Sequence, residues 1–289
     1  MIKKAVIPAA GYGTRFLPIT KSQPKEMIPI VDTPVIQYVV EEAAASGITD
    51  ILMIIGKGKR AIEEHFDRSL FLEETLLEKN SFEMLEKIRK ISDLANIHFV
   101  WQKEMNGLGD AIRYARYHVN SEPFAVLLGD TLVKCDEKPV TRQLIDVYDR
   151  YGSSVVALEE VQPEVINRYG VIDGKPQGNQ VYSASDWIEK PSPEEAPSNL
   201  AIAGRYIFTP EIFDYLDQIM PGKNGELQLT DAMRLMVKKQ QMYGLVFKGK
   251  RYDIGNKLGF LKTNLIYGLE DPEIGEELKQ WLQSFSPGL

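Results

Sequence analysis

Four short apolar runs punctuate the first half of the chain: Ala5-Val6-Ile7-Pro8, Ile51-Leu52-Met53-Ile54-Ile55, Ile97-His98-Phe99-Val100-Trp101 and Phe124-Ala125-Val126-Leu127-Leu128. Runs that do not alternate with polar residues read as strands covered on both faces. Helical patterns separate them. Asp32-Thr33-Pro34 predicts an N-cap with proline in the first helical position. Val35, Ile36, Val39, Val40, Ala43 and Ala44 then recur at helical spacing through Ser46, and Gly47 closes the helix. Arg60 to Phe66 starts another helix, residues 69–90 read as exposed helix broken near Asn80, and a further helix runs to about Val119. Strands separated by helices predict an α/β fold built on a doubly wound, mostly parallel sheet.

The second half predicts strands at Ser153–Leu158, near Tyr169, and at Val181–Glu189, Leu200–Phe208 and Met242–Phe247. Asp173-Gly174 reads as a hairpin turn, and Thr209-Pro210-Glu211 as a capped helix start. Helices are expected at 231–240, 258–269 and 272–285. No repeat, linker or composition break divides the 289 residues, so one domain over 1–289 is expected. A chain of this size buries roughly 75% of its unfolded surface and needs no disulfide or metal staple.

Ligands of such sheets bind beyond the carboxyl ends of the strands. The first strand runs into Ala9-Ala10-Gly11-Tyr12-Gly13-Thr14-Arg15-Phe16-Leu17-Pro18 and on to Pro24-Lys25-Glu26-Met27. Small residues and two glycines let backbone N–H groups approach a phosphate, and Arg15 and Lys25 add fixed positive charge. A dinucleotide loop needs a third glycine where Phe16 stands, and a Walker loop needs Gly-Lys-Ser/Thr where Gly13-Thr14-Arg15 stands. The glycines alone serve a plain tight turn equally well. With the cations behind them they predict a nucleoside triphosphate site.

Asn106-Gly107-Leu108-Gly109-Asp110 and Gly129-Asp130 follow later strand ends and should share that rim. Asp130 and Asp253, the latter in Gly249-Lys250-Arg251-Tyr252-Asp253-Ile254-Gly255, would together hold Mg²⁺ if the fold joins them. Each alone reads equally well as a cap or turn residue. In Glu189-Lys190-Pro191 the proline should end a strand and hold Lys190 extended, where it could neutralise a phosphate monoester; a solvent-facing turn is the plainer local reading. Gly204 offers either a close backbone approach or a bulge. The reaction that uses these parts is nucleotidyl transfer, which demands orientation and charge neutralisation more than a covalent nucleophile.

Other chemistries find little support. A net charge of −7 argues against general nucleic-acid binding. Cys135 is the sole cysteine, and His65, His98 and His118 lack a zinc spacing. Lys57-Gly58-Lys59-Arg60 reads as a solvated helix start more readily than as a phosphate site. Without a signal-peptide core or an apolar run of about 18 residues, a cytoplasmic protein free of membrane contacts is expected.

Several stretches together carry a resemblance over nearly the full length: Ala-Gly-Tyr-Gly-Thr-Arg-Phe-Leu-Pro from Ala10, Pro-Lys-Glu-Met-Ile-Pro-Ile-Val-Asp from Pro24, Ile-Gln-Tyr-Val-Val-Glu-Glu-Ala from Ile36, the segment Lys59 to Asp67, Asn106-Gly107-Leu108-Gly109, Gly225 to Asp231, and Arg251 to Gly255. The chain resembles the bacterial UTP–glucose-1-phosphate uridylyltransferases of the sugar-nucleotidyltransferase superfamily. The resemblance implies a Rossmann-like nucleotidyltransferase fold, with a nucleotide-binding part over about 1–135, a sugar-binding β elaboration over about 136–255 and C-terminal helices over about 256–289. It implies that Mg²⁺ assists attack of glucose 1-phosphate on UTP. Arg15, Lys25 and Lys190 would be catalytic, Asp130 and Asp253 metal ligands. Substrate contacts would come from Ala9, Ala10, Gly11, Gly13, Thr14, Glu26, Gln102 and Gly107 on the nucleotide side, and from Asp130, Gly170, Glu189 and Gly204. A homodimer or homotetramer is implied as well. Asp110, Thr131 and Asn256 depart from the family pattern, where histidine, an acidic or aliphatic residue, and aspartate are common. Rival readings keep the chemistry with dTTP or N-acetylglucosamine 1-phosphate, or make the chain a non-catalytic sugar-nucleotide-binding regulator.

Overall fold

The computed structural model describes residues 1–222 and 225–285; positions 286–289 of the expected C-terminal helical segment lie outside the described residues. Strand β1 (Lys4–Ala9) leads through the glycine loop to a small ribbon of β2 (Pro29–Ile30) and β3 (Thr33–Pro34), then to α1 (Val35–Ala45) and β4 (Asp50–Ile55). Helices α2 (Arg60–Phe66), α3 (Leu70–Glu78) and α4 (Phe82–Ser92) precede β5 (Asn96–Trp101). Then come α5 (Leu108–Arg113), α6 (Arg116–Val119) and β6 (Phe124–Leu127). These strands lie side by side in the order β5-β4-β1-β6, all parallel. The order therefore reverses between β1 and β6, and a crevice opens there at the carboxyl ends of the strands.

Alternation along the strands supplies two cores. Ala5, Ile7 and Ala9 with Ile51, Met53 and Ile55 face Ile36, Val39 and Val40 of α1. Val6, Leu52 and Ile54 face Ala111 and Ile112 of α5. Each fully buried Val, Ile or Leu contributes about 1.5–3 kcal/mol, which is why this framework is rigid enough to aim loops.

The chain continues as β7 (Leu132–Lys134), α7 (Val140–Tyr151), β8 (Val155–Glu160), β9 (Gly170–Gly178), β10 (Val181–Glu189) and β11 (Leu200–Phe208). It ends with α8 (Ile212–Leu216), α9 (Leu229–Val237), β12 (Tyr243–Val246), β13 (Lys250–Tyr252), α10 (Lys257–Glu270) and α11 (Gly275–Phe285). Among the described residues, nine strands form one mixed sheet, β5-β4-β1-β6-β11-β8-β12-β10-β9, in which β10 and β11 run against the rest. The expected α/β mixed sheet with a β elaboration is thus observed. β13 pairs antiparallel with β7, setting Tyr252 opposite Leu132, so Asp253 emerges beside the turn that carries Asp130. No helix among the described residues is long and apolar enough to cross a membrane.

Four local expectations need correction. Asp173-Gly174 is not a turn: β9 runs through it, pairing Ile172 with Trp187, both buried. The reversal falls at Asn179-Gln180, whose φ values of 51° and 63° suit a two-residue hairpin loop that follows the strand twist. Asp32 does not cap α1. Its carboxylate takes the Thr33 hydroxyl and the Lys87 ammonium, and an extended Pro34 stands at the cap. Thr209 does not cap α8 either, and its buried hydroxyl oxygen is without a hydrogen-bond partner among the described residues. The helix expected to continue to Val119 is interrupted, α5 ending before Tyr114 and α6 resuming at Arg116.

Candidate active site

Beyond β1 the chain folds into three short 3₁₀ turns, Thr14–Phe16, Ile19–Lys21 and Lys25–Met27. Gly13 has φ 66°, and a Cβ there would lie 2.9 Å from Cβ of Lys25. The Lys25 side chain packs along the loop with its Nζ near Gly11. The Thr20 hydroxyl donates to the Gly13 carbonyl at 2.9 Å and closes the loop.

Lys25 Nζ donates to Asp130 Oδ2 at 2.5 Å. Glu26, next in the chain, is buried, and Lys59 donates to its Oε2 at 2.6 Å. Lys59 is therefore neither a phosphate ligand nor a solvated helix start; it neutralises a carboxylate beneath the loop. Among the described residues Glu26 Oε1 has no hydrogen-bond partner and lies 3.9 Å from Lys25 Nζ. Burial would lower the Lys25 pKa, but Asp130 and Glu26 outweigh it and hold the ammonium above the ordinary lysine value. Burial would raise the Asp130 pKa, but Lys25 holds the carboxyl below its usual range. For Glu26 burial wins and the pKa rises against the pull of Lys25 and Lys59; for Lys59 burial likewise wins and the pKa falls.

Four cavities adjoin along this rim, one of them walled by Arg15, Phe16, Lys25, Asp130, Gly255 and Phe260; the other three carry most of the residues expected at the site. The first of these three is lined by Ala10, Gly11, Lys25, Gln102, Gly107 and Asp130, with Gly13, Thr14 and Glu26 also at its wall. The next takes in Arg15, Asp130, Arg168, Lys190, Arg251 and Asp253. The third takes in Gly170, Glu189, Lys190, Gly204, Thr230 and Arg251. Asp130 lines the first two, and Lys190 the second and third. Of the residues singled out from sequence only Ala9 stands apart, its side chain buried in the core.

Both aspartates are held by specific bonds. Asp253 accepts from the Gly255 N–H at 2.9 Å and from Asn256 Nδ2 at 2.6 Å. Asn256 also caps α10 through its Oδ1, which accepts from Gly259 N–H. An aspartate at 256 would cap as well but would have no N–H to donate to Asp253. Oxygen donors only, two carboxylates at one cavity, suit a small hard cation that completes its shell with water and ligand phosphates.

Glu189 and Lys190 sit at the end of β10. Glu189 Oε2 accepts the Thr230 hydroxyl at 2.7 Å, and Oε1 lies 3.2 Å from Lys190 Nζ. Lys190 is not extended: its φ is 46°. The Lys190 N–H donates to the Tyr169 carbonyl at 3.0 Å, and that bond fixes a conformation the following proline disfavours. Strain of about 1–3 kcal/mol at a non-glycine left-handed residue is characteristic of sites. At Gly204 the bulge is observed, its φ of 79° accompanying a register shift against β8, and the residue also lines the third cavity.

Gly107 has φ 102° at the N-terminus of α5, and a Cβ would meet the Leu227 carbonyl oxygen at 2.8 Å. Leu227 staples this loop: its N–H donates to Asn106 O at 2.7 Å, and its carbonyl accepts from Gly109 N–H at 2.8 Å. Gly107→Ala is expected to destabilise the fold by about 1–3 kcal/mol. A melting temperature equal to the parent's would show that the loop gives way freely.

Sequence reading missed the support beneath Asp130. Arg205 on β11 donates to Glu42 Oε2 from Nε and Nη2 at 2.9 and 2.8 Å, and from Nη2 to the Thr131 carbonyl at 2.8 Å. Glu42 Oε1 accepts from the Thr141 backbone N–H and hydroxyl. The available signal was a lone arginine in a nine-residue strand that is otherwise apolar. Arg168 and Arg251 were likewise passed over as site cations; Arg251 pairs with Glu159 and lies over the Tyr169 ring.

The chain is similar to known nucleotidyl transferases. The family model described as nucleotidyl transferase matches residues 4–268. A UTP–glucose-1-phosphate uridylyltransferase of Staphylococcus epidermidis is 53% identical over 282 residues, 98% of each chain. One of Bacillus subtilis is 52% identical over 98% of this chain and 95% of its own. A UDP-glucose pyrophosphorylase complexed with UDP-glucose superposes with a TM-score of 0.87 at 46% identity, over 94% of this chain and all of that one. A UTP-bound UGPase from Acinetobacter baumannii gives 0.90 at 38%, over 98% and 99%.

Proposed function

The chain belongs to the nucleotidyl transferase family, among the UTP–glucose-1-phosphate uridylyltransferases, and from that premise we propose that it joins UTP and glucose 1-phosphate into UDP-glucose, releasing pyrophosphate. The observation that carries the proposal is the continuous rim on which Asp130 joins a glycine-walled cavity to a second, polar one and Lys190 joins that one to a third.

A phosphate oxygen of glucose 1-phosphate attacks the α-phosphorus of UTP as the bond from that phosphorus to the bridging oxygen of pyrophosphate breaks. Near neutral pH the phosphate monoester is already anionic, so no strong general base is required. What the chain supplies is alignment and compensation of charge. Backbone of Ala9, Ala10 and Gly11, with Gln102 and Gly107, holds the uridine, while Gly13 and Thr14 shape the phosphate turn. Arg15 and Lys25 neutralise the triphosphate and the departing pyrophosphate. Glu26 anchors Lys59 beneath the loop and adds negative potential that keeps Lys25 charged. Gly170, Glu189 and Gly204 receive the glucose hydroxyls, and Lys190 with Arg168 and Arg251 receives its phosphate. Asp130 and Asp253 would hold Mg²⁺, which when bound withdraws charge from phosphate oxygens. Residues 1–289 act as one catalytic unit in this scheme, in a cytoplasmic protein that assembles as a dimer or tetramer.

The test crosses several nucleoside triphosphates with several sugar 1-phosphates in a pyrophosphate-release assay, with and without Mg²⁺. Release is expected to be strongest for UTP with glucose 1-phosphate and to require the metal; strong release from another pair and none from this one would overturn the substrate assignment. Lys190→Ala should raise KM for glucose 1-phosphate about 10- to 100-fold, as expected for loss of one charge-assisted contact, and leave KM for UTP near the parent value. An unchanged KM for the sugar phosphate would remove Lys190 from that subsite.

A further inference from the structure

The side-chain amide of Gln102 is held in one of its two orientations. Gln102 follows β5, where its backbone N–H donates to the Ile55 carbonyl at 2.9 Å. It is 5% exposed, and Asp110, in the first turn of α5, is 9% exposed. Gln102 Nε2 donates to Asp110 Oδ2 at 2.9 Å and lies 3.5 Å from the Gly107 carbonyl oxygen. An ionised carboxylate and a backbone carbonyl only accept. Both amide hydrogens are therefore drawn to that side, and the flipped amide would set Oε1 against two acceptor oxygens. Oε1 is the atom left to meet a ligand in the cavity that Gln102 lines with Ala10, Gly11, Met105 and Gly107.

Pyrimidine bases differ at the position such an oxygen would read. Uracil carries a hydrogen on N3 and donates, whereas cytosine presents a lone pair there. Building on the uridylyl-transfer proposal, we infer that Asp110 is a positioning residue for base selection: it fixes the Gln102 amide as an acceptor, which admits a base with N3–H and opposes cytosine. A site that presents a buried acceptor to a base without the matching hydrogen leaves that acceptor unpaired, and this is the strong form of discrimination.

Asp110→Asn tests it with almost no change of shape, because an asparagine amide can turn either its oxygen or its NH₂ toward Gln102 and so releases the flip. Asp110→Ser, too short to hold Gln102, is the second variant and decides the question if the first does not fold. Pyrophosphate release is measured with UTP and with CTP at saturating glucose 1-phosphate, alongside KM for the sugar phosphate and the melting temperature. The expected result is a fall of about tenfold or more in kcat/KM for UTP and a narrowing of the UTP-to-CTP ratio by at least about tenfold, with KM for glucose 1-phosphate unchanged. A ratio within about twofold of the parent's overturns the inference, even if both rates fall together, since a merely structural role lowers both alike. A parent enzyme that releases no pyrophosphate from UTP and glucose 1-phosphate would instead sink the proposed reaction, so the two failures are told apart by the parent measurement.

Discussion

Lys25→Met is expected to lower kcat at least about 10³-fold while the chain stays folded. Loss of a single preorganised donor to a developing charge costs about 10²–10³ in rate, and Lys25 is a full cation held on both sides. Its ammonium touches Asp130 at 2.5 Å and its stem packs on Gly13, so its position is fixed before substrate arrives. Methionine keeps the length of the stem. Glu26 keeps Lys59 as its partner, and Asp130, whose side chain is 39% exposed, can be rehydrated. Stability should therefore fall far less than activity. Lys25→Arg should recover only part of the rate, because a planar guanidinium presents a different donor geometry from a compact ammonium.

The pH dependence has a definite sign. Lys25 titrates above the ordinary lysine value and Asp130 below the ordinary carboxyl value, so both stay charged between about pH 6 and 9. Whatever stability Asp130 lends is complete above its unfolded-state pKa and is lost as pH falls through its depressed folded-state value. Neither limb of a kcat profile in that range should belong to this pair. A folded Lys25→Met variant with kcat within tenfold of the parent's would remove the lysine from the chemistry.

How much of this the sequence disclosed depends on the span of each interaction. The parallel half was legible because a buried strand and its crossover helix write their patterns within about 30 residues, as Ile51–Ile55 and Val35–Ala45 do. The rim was legible for the same reason: Gly11, Gly107 and Asp130 lie in the loops that follow β1, β5 and β6. Two kinds of feature were hidden. The hairpin was misplaced because Asp-Gly is a strong local signal, yet the pairing of Ile172 with Trp187 decides where the chain turns. The ion pairs beneath the site were hidden because partners lie far apart, Glu26 and Lys59 by 33 residues and Glu42 and Arg205 by 163. Nothing local distinguishes the buried Lys59 from the exposed Lys57 two residues earlier.

Arg205→Met is expected to destabilise the fold by about 3–5 kcal/mol, since removing one partner of a buried pair strands the other charge. That corresponds to a fall in melting temperature of roughly 10 °C for a chain of this size. Both side chains are almost inaccessible, at 1% for Arg205 and 8% for Glu42, so water cannot compensate the loss. The pair also has a positional role, which a double variant isolates. Glu42→Met combined with Arg205→Met removes both charges and replaces them with flexible apolar side chains, a change that is often neutral or better for stability. It should regain much of the lost melting temperature. It should not regain the rate, because the guanidinium also holds the Thr131 carbonyl at 2.8 Å, and the Leu128 carbonyl lies 3.4 Å from Nη1. Those two carbonyls bracket Asp130, and without them its carboxylate loses the placement that catalysis needs, at a penalty of order 10²-fold for a displacement near 1 Å. A double variant with restored stability and the parent's kcat would reduce Arg205 to a packing residue; restored stability with a depressed kcat assigns the buried pair to the aiming of Asp130.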